Sequence, residues 1–393
     1  LKMGYTSTDP AWANLGQGSP ETGDIPGDTI QNEKLEMSHA SRHYSPVAGL
    51  NELRQKIADI YNELYRKNKS SKYTYKNVSV CNGGRLALTR VAASLGDINL
   101  GHFIPDYTAY EELLTLFKSF IPIPIQLNPE KGFSISIEEL ENEIVGKGLQ
   151  ALLLSNPGNP TGRLLYGQEL KGWVDVARRN FCSIIFDEFY SSYIYKQLPE
   201  GQYSVSSAEF VEDVNKDPII ILDGLTKNQR LPGLRLGWII GPEQIIESIN
   251  SAGSFIDGGP NHPTQLFAIT FLEDSIKEQR AVRLQKHFKE KRDFVLQRLE
   301  QLNVRPAVKS DGTFYIWVDL SNLPKPINDG MQFFRECLKE KVIVVPGEFF
   351  DVNPGKRRLH GKYRAYCRLS FGPNLETLEK GLTGIGKMLN KYI

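Results

Sequence analysis

The chain has 393 residues, enough for one large core and a second, smaller domain. Lys and Arg number 47 and Asp and Glu 46, so the formal net charge of +1 removes any global electrostatic reason to expect nucleic acid or an anionic membrane as partner. No apolar stretch is long enough to span a bilayer, the first residues are polar, and Cys81, Cys182, Cys337 and Cys367 form no Cys-x-x-Cys pair; a cytoplasmic protein with reduced thiols and no metal is expected.

In chain order, Asn77 to Cys81 predicts a strand, followed by Asn82-Gly83-Gly84 and a helix to about Leu95. His102 to Ile104 predicts a short strand that ends at Pro105. Phe120 to Gln126 predicts another, and its prolines, which cannot donate to a ladder, place it near a sheet edge. Ala151 to Leu154, Cys182 to Phe186 and Ile219 to Leu222 are nearly continuous apolar runs, as suits strands buried on both faces of a parallel sheet. Helical patterns such as Gln168 to Arg179 lie between them, which is α/β organisation. A charged helical stretch covers about Asp274 to Leu302, and Thr313 to Leu320 and Arg364 to Phe371 belong to a smaller α+β unit.

The carboxyl ends of these strands carry the chemistry. They deliver Gly83-Gly84 at a helix start, Asp106-Tyr107, Asn159, Asp187 to Tyr190, and Thr226-Lys227. Ser155 to Gly162, with two Asn-Pro breaks and two glycines, is a rigid loop at a strand end, where open α/β sheets place their ligands. Glycines at a helix N-terminus bind phosphate through free N–H groups and the helix dipole. A lysine amine is a nucleophile toward carbonyl groups. A buried carboxylate holds a pyridine nitrogen protonated. Together these describe a site for pyridoxal 5'-phosphate.

The ordered set His43 to Leu50 with Leu53-Arg54, Asn82 to Gly84, Pro105 to Tyr107, Asn159 to Gly162, Asp187 to Tyr190, Thr226-Lys227, Pro232 to Gly237, Gly312 to Tyr315, Pro346-Gly347 and Arg368 to Phe371 resembles the class I/II aminotransferases of pyridoxal-phosphate fold type I. The resemblance covers nearly the whole chain. It implies a mostly parallel, mixed sheet flanked by helices in a large domain of residues 45–275, and a small α+β domain of residues 1–44 and 276–393. It implies that Lys227 carries the cofactor and shuttles the proton, that Asp187 pairs with the pyridine nitrogen, and that Tyr190 and Asn159 donate to the phenolate oxygen. Tyr107 would stack on the ring. Gly83, Gly84, Thr226 and Arg235 would hold the phosphate, joined by Tyr44 from a second subunit, so a homodimer with shared sites is expected. Arg368 would grip the substrate carboxylate, aided by Asn159, and Gly16-Gln17-Gly18 would close over the substrate. Arg364 would share the strand face of Arg368 but lie about 13 Å away.

Two positions depart from the family. Gly224 stands where many relatives have a phosphate-binding serine, and Arg85 follows the glycine pair where a small residue is frequent; Arg85 either compensates at the phosphate or faces solvent. The implied reaction is ping-pong amino transfer between an α-amino acid and a 2-oxo acid. The same apparatus serves lyases, cyclases and oxidases of amino acids. A regulatory effector-binding protein would want a basic recognition helix, and none is visible before Tyr44.

Overall fold

The computed structural model describes residues 4–27, 34–35, 37–117, 119–275 and 278–392. In chain order the longer elements are β1 (Ala13–Asn14), α1 (Asn51–Tyr65), β2 (Val78–Cys81), α2 (Gly84–Ser94), β3 (Ile98–Ile104), α3 (Ala109–Leu116), β4 (Phe120–Gln126), α4 (Ile137–Gly146), β5 (Ala151–Ser155) and α5 (Gly167–Asn180). They continue with β6 (Ser183–Asp187), β7 (Ile219–Gly224), β8 (Gly237–Ile240), α6 (Glu243–Ile256), α7 (His262–Ser275), α8 (Glu278–Gln301), β9 (Arg305–Pro306) and β10 (Tyr315–Asp319). The last are α9 (Gly330–Lys339), β11 (Val342–Ile343), β12 (Val345–Pro346), β13 (Tyr366–Ser370) and α10 (Leu375–Leu389).

Seven strands form one mixed sheet in the order β2-β8-β7-β6-β5-β3-β4. β8 is antiparallel to both its neighbours, and the rest run parallel. The carboxyl ends of β2, β3, β5, β6 and β7 therefore meet at one edge. The apolar runs are buried throughout, as the reading of two-sided burial requires. The proline-bearing β4 is the outermost strand. Two strands differ from expectation. β3 begins at Ile98 rather than His102, since its pairing with β4 starts at Ile98 and runs through Gly101, where a Cβ would lie 2.5 Å from Leu152 Cδ2. β8 was not anticipated; its four buried residues are too short a run to stand out.

A second sheet, β12-β13-β10-β9, is antiparallel, and β1 pairs in parallel with β11, which ties the N-terminal segment to the C-terminal unit. The expected helix around Asp274 to Leu302 is divided between α7 and α8, with 276–277 outside the described residues. Among the described residues no helix is long and apolar enough to cross a membrane.

His102, in the middle of β3, is buried, and neither ring nitrogen has a hydrogen-bond partner among the described residues. Burial, reinforced by Arg358, pushes its pKa down to about 4. The folded pKa lies below the unfolded value, so protonation favours the unfolded chain. Stability is full above about pH 6.5 and falls as the pH drops toward 4, by about 3 kcal/mol. His102→Leu removes this loss: urea unfolding at pH 7 and pH 4.5 should show a much smaller difference for the variant than for the wild type. An unchanged difference would show that His102 does not titrate in this way.

Candidate active site

The sheet edge opens on a cavity of about 660 Å³. Gly18, Gly84, Tyr107, Asn159, Asp187, Tyr190, Thr226, Lys227, Arg235 and Arg368 all line it. Gly83 lies just behind, at the N-cap of α2 with φ +86°, and a Cβ there would stand 2.4 Å from Nη2 of Arg235. Tyr44 does not line this chain's cavity; it is 99% exposed.

Lys227 follows β7 by three residues. Its carbonyl accepts from the Tyr193 hydroxyl at 3.0 Å, and its Nζ donates to the Gly18 carbonyl. Burial, with the charges of Arg368, Arg235 and Arg85, lowers its pKa to about 8 against the opposing pull of Asp187. An amine with that pKa keeps a far larger neutral fraction near physiological pH than an ordinary lysine, and the neutral form is competent as nucleophile or base.

Asp187 ends β6 and is buried, with Oδ2 accepting from the Tyr110 hydroxyl at 2.9 Å. Burial lifts its pKa to about 6 even though Tyr110, the Phe189 amide and Lys227 pull it down. A cationic N–H placed against it would restore the carboxylate. Asp106 is a second buried acid, accepting from Ser155 Oγ and the Tyr107 amide, both at 2.7 Å, and burial raises it to about 8.

Arg368 lies on β13, 6% exposed, with its guanidinium 4.0 Å from the Tyr315 ring centre. Nη1 donates to Asn159 Oδ1 and Nη2 to the Gly16 carbonyl, each at 2.9 Å, and the buried Nε has no partner among the described residues. The Tyr190 and Tyr315 hydroxyls are 2.8 Å apart. Arg364 is exposed and precedes the strand, so it shares no strand face with Arg368; β13 starts only at Tyr366.

The phosphate-type corner is built by packing. A Cβ on Gly84 would lie 2.6 Å from the Phe189 ring, and Thr226 Oγ1 is buried without a partner among the described residues. A side chain at Gly224 would meet the Leu236 carbonyl at 2.5 Å and Gly237 Cα at 2.6 Å. The close approach of β7 and β8 thus explains the glycine there. Arg85 lines the cavity from the first turn of α2. Tyr110, Tyr315 and Phe350 were not anticipated as site residues; Tyr315 sits in a family motif but had no role assigned to it.

Residues 10–385 match the family model described as aminotransferase class I and II. The chain belongs to this family. An aspartate aminotransferase of Sulfolobus acidocaldarius is 26% identical over 362 residues, covering 89% of this chain and 83% of that protein. An aromatic-amino-acid aminotransferase 2 of Thermococcus litoralis is 27% identical over 386 residues, covering 96% and 92%. The crystal structure of an aspartate aminotransferase from Thermotoga maritima aligns with a TM-score of 0.78 at 27% identity, covering 96% of this class I/II aminotransferase and 92% of that chain. The fold is therefore the α/β architecture of fold-type I enzymes.

Proposed function

We propose that this aminotransferase uses pyridoxal 5'-phosphate to move an amino group between an α-amino acid and a 2-oxo acid by a ping-pong route, with a dicarboxylic acid as one substrate. The observation that carries this reading is the meeting of Lys227, Asp187 and Arg368 on one cavity. The residues present fit the cofactor. Among the described residues Asp187 has no cationic hydrogen-bond donor and Thr226 Oγ1 no partner, while Gly83, Gly84 and Arg235 surround the start of α2. When bound, the cofactor supplies an electron sink.

The roles of the chain's residues follow from their places. Asp187 holds the proton on the pyridine nitrogen. Tyr107 covers a ring face, and Tyr190 and Asn159 donate to the phenolate oxygen. Thr226, Arg235 and the amides of Gly83 and Gly84 hold the phosphate. Arg368 orients the substrate carboxylate, with Asn159 and Gly18 beside it. Lys227, lowered to about 8, would take the proton from the substrate Cα and hold it for return. Tyr107, Tyr190 and Phe350 exclude water.

We read the large domain as residues 45–275 and the small domain as 1–44 with 276–393. Tyr44, exposed beside Ser45, which is bonded to Pro260 at 2.7 Å, suits donation to a second subunit in a homodimer. Four buried free thiols suit the reducing cytoplasm.

The dicarboxylic preference rests on Arg85, which lines the cavity and whose guanidinium makes no hydrogen bond or ion pair with the described residues. Arg85→Ala should lower kcat/KM for aspartate or glutamate about thirtyfold, the equivalent of about 2 kcal/mol for a charged hydrogen bond. Alanine should be unaffected. An equal fall for alanine, or a wild type that prefers apolar amino acids, would contradict this preference.

A further inference from the structure

Two backbone carbonyls of the N-terminal segment reach the cavity: Gly16 accepts from Arg368, and Gly18 from Lys227. The segment is held on both sides of this contact. Upstream, β1 pairs with β11, and the Leu15 carbonyl accepts from the Ser370 amide at 2.7 Å. Downstream, everything converges on Glu21. Its amide donates to the Gly372 carbonyl at 2.9 Å, and its own carbonyl accepts from Arg230 at 3.3 Å. Its carboxylate accepts from Lys291 Nζ at 2.7 Å and stands 2.5 Å from His287 Nε2.

Lys291 is 3% exposed, and its other partner is the Gly372 carbonyl at 3.0 Å. A buried ammonium is costly unless a carboxylate meets it, so Lys291 demands Glu21 where it is. Lys291 and His287 are four residues apart on α8, one turn of the same helix face. Gly372 follows the strand that carries Arg368. The ion pair thus joins the N-terminal segment, α8 and the Arg368 strand.

We propose that Glu21 and Lys291 form a clasp that positions the Gly16 to Gly18 segment against Arg368 and thereby sets the affinity for the substrate carboxylate. They are positioning residues, and the inference rests on the reading of Arg368 as the carboxylate anchor. With the clasp open, the guanidinium loses its Gly16 acceptor and must be ordered by the substrate itself, at the expense of affinity. The loop of Lys227 meets this segment through Lys227 Nζ and Arg230, but it has further holds in Tyr193 and in Asn228, which donates to Ser191 at 2.8 Å and to Asp223 at 3.1 Å. The chemical step should therefore be spared.

The test uses the cofactor-loaded enzyme with Glu21→Gln,Lys291→Met, which opens the ion pair without stranding a buried charge. KM for the amino acid should rise about tenfold while kcat stays within about twofold and the melting temperature is kept. Calorimetric binding of succinate to the cofactor-free protein should weaken by the same factor. Glu21→Gln alone should add a fall in melting temperature, because Lys291 is left unpaired. Unchanged KM and binding would overturn the clasp, as would kcat and stability falling together with no separate effect on KM. A wild type that binds no carboxylate would overturn both the clasp and the assignment of Arg368, whereas an unaltered variant of an active wild type overturns the clasp alone.

Discussion

Lys227→Ala is expected to keep the cofactor and lose about 10⁴-fold in amino transfer, the upper range for removal of a positioned acid–base group. The phosphate and ring contacts proposed for Gly83, Gly84, Thr226, Arg235 and Asp187 do not involve Nζ, so retention should survive. What disappears is the group proposed to link to the cofactor and to move the proton. The other basic side chains that line the same cavity, Arg85, Arg235 and Arg368, are guanidiniums, which donate hydrogen bonds but offer no acceptor for the proton. The measurement is dialysed variant protein, assayed for bound cofactor and for turnover. Loss of both together would mean that the variant has lost the site rather than the proton shuttle.

Arg368→Ala should raise the dissociation constant for the amino acid by an amount equivalent to about 2–5 kcal/mol, the usual consequence of truncating one side of a buried charge pair. The guanidinium is already oriented by Asn159 Oδ1, the Gly16 carbonyl and the Tyr315 face. A planar fork is what this setting prepares, so Arg368→Lys should not restore binding. Covalent attachment of the cofactor at Lys227 should be intact in both variants. Arg364→Ala is the control, since that residue is exposed and lies before β13. Loss of amino-acid binding in Arg364→Ala but not in Arg368→Ala would reverse the assignment.

Much of this site was legible in the sequence because its parts sit at strand ends, where a few adjacent residues announce both the end of the strand and the chemistry. Asp187 closes a continuous apolar run, Lys227 follows another within five residues, and Asn159 lies in a loop whose prolines and glycines forbid regular structure. Partners brought in from a distance were not legible. Tyr110 reaches Asp187 across 77 positions, and Tyr315 reaches Tyr190 across 125. Nothing local distinguishes either tyrosine from a core aromatic. Glu21 and Lys291 are 270 positions apart and looked like ordinary charged residues until burial joined them. Gly224 was legible as a departure but not as a necessity, because the obstruction is the backbone of β8, a strand that the apolar pattern did not reveal. Arg364 was misplaced for a similar reason: the alternation of Arg364 to Phe371 does not mark where pairing begins.

The most direct test of the account is to reduce the cofactor-loaded wild type with borohydride and locate the cofactor by peptide mapping, alongside a single turnover with aspartate or glutamate. The account predicts that the label falls on Lys227 and that one equivalent of the matching 2-oxo acid is released per site. A label on another lysine, or consumption of amino acid without the matching 2-oxo acid, would contradict it.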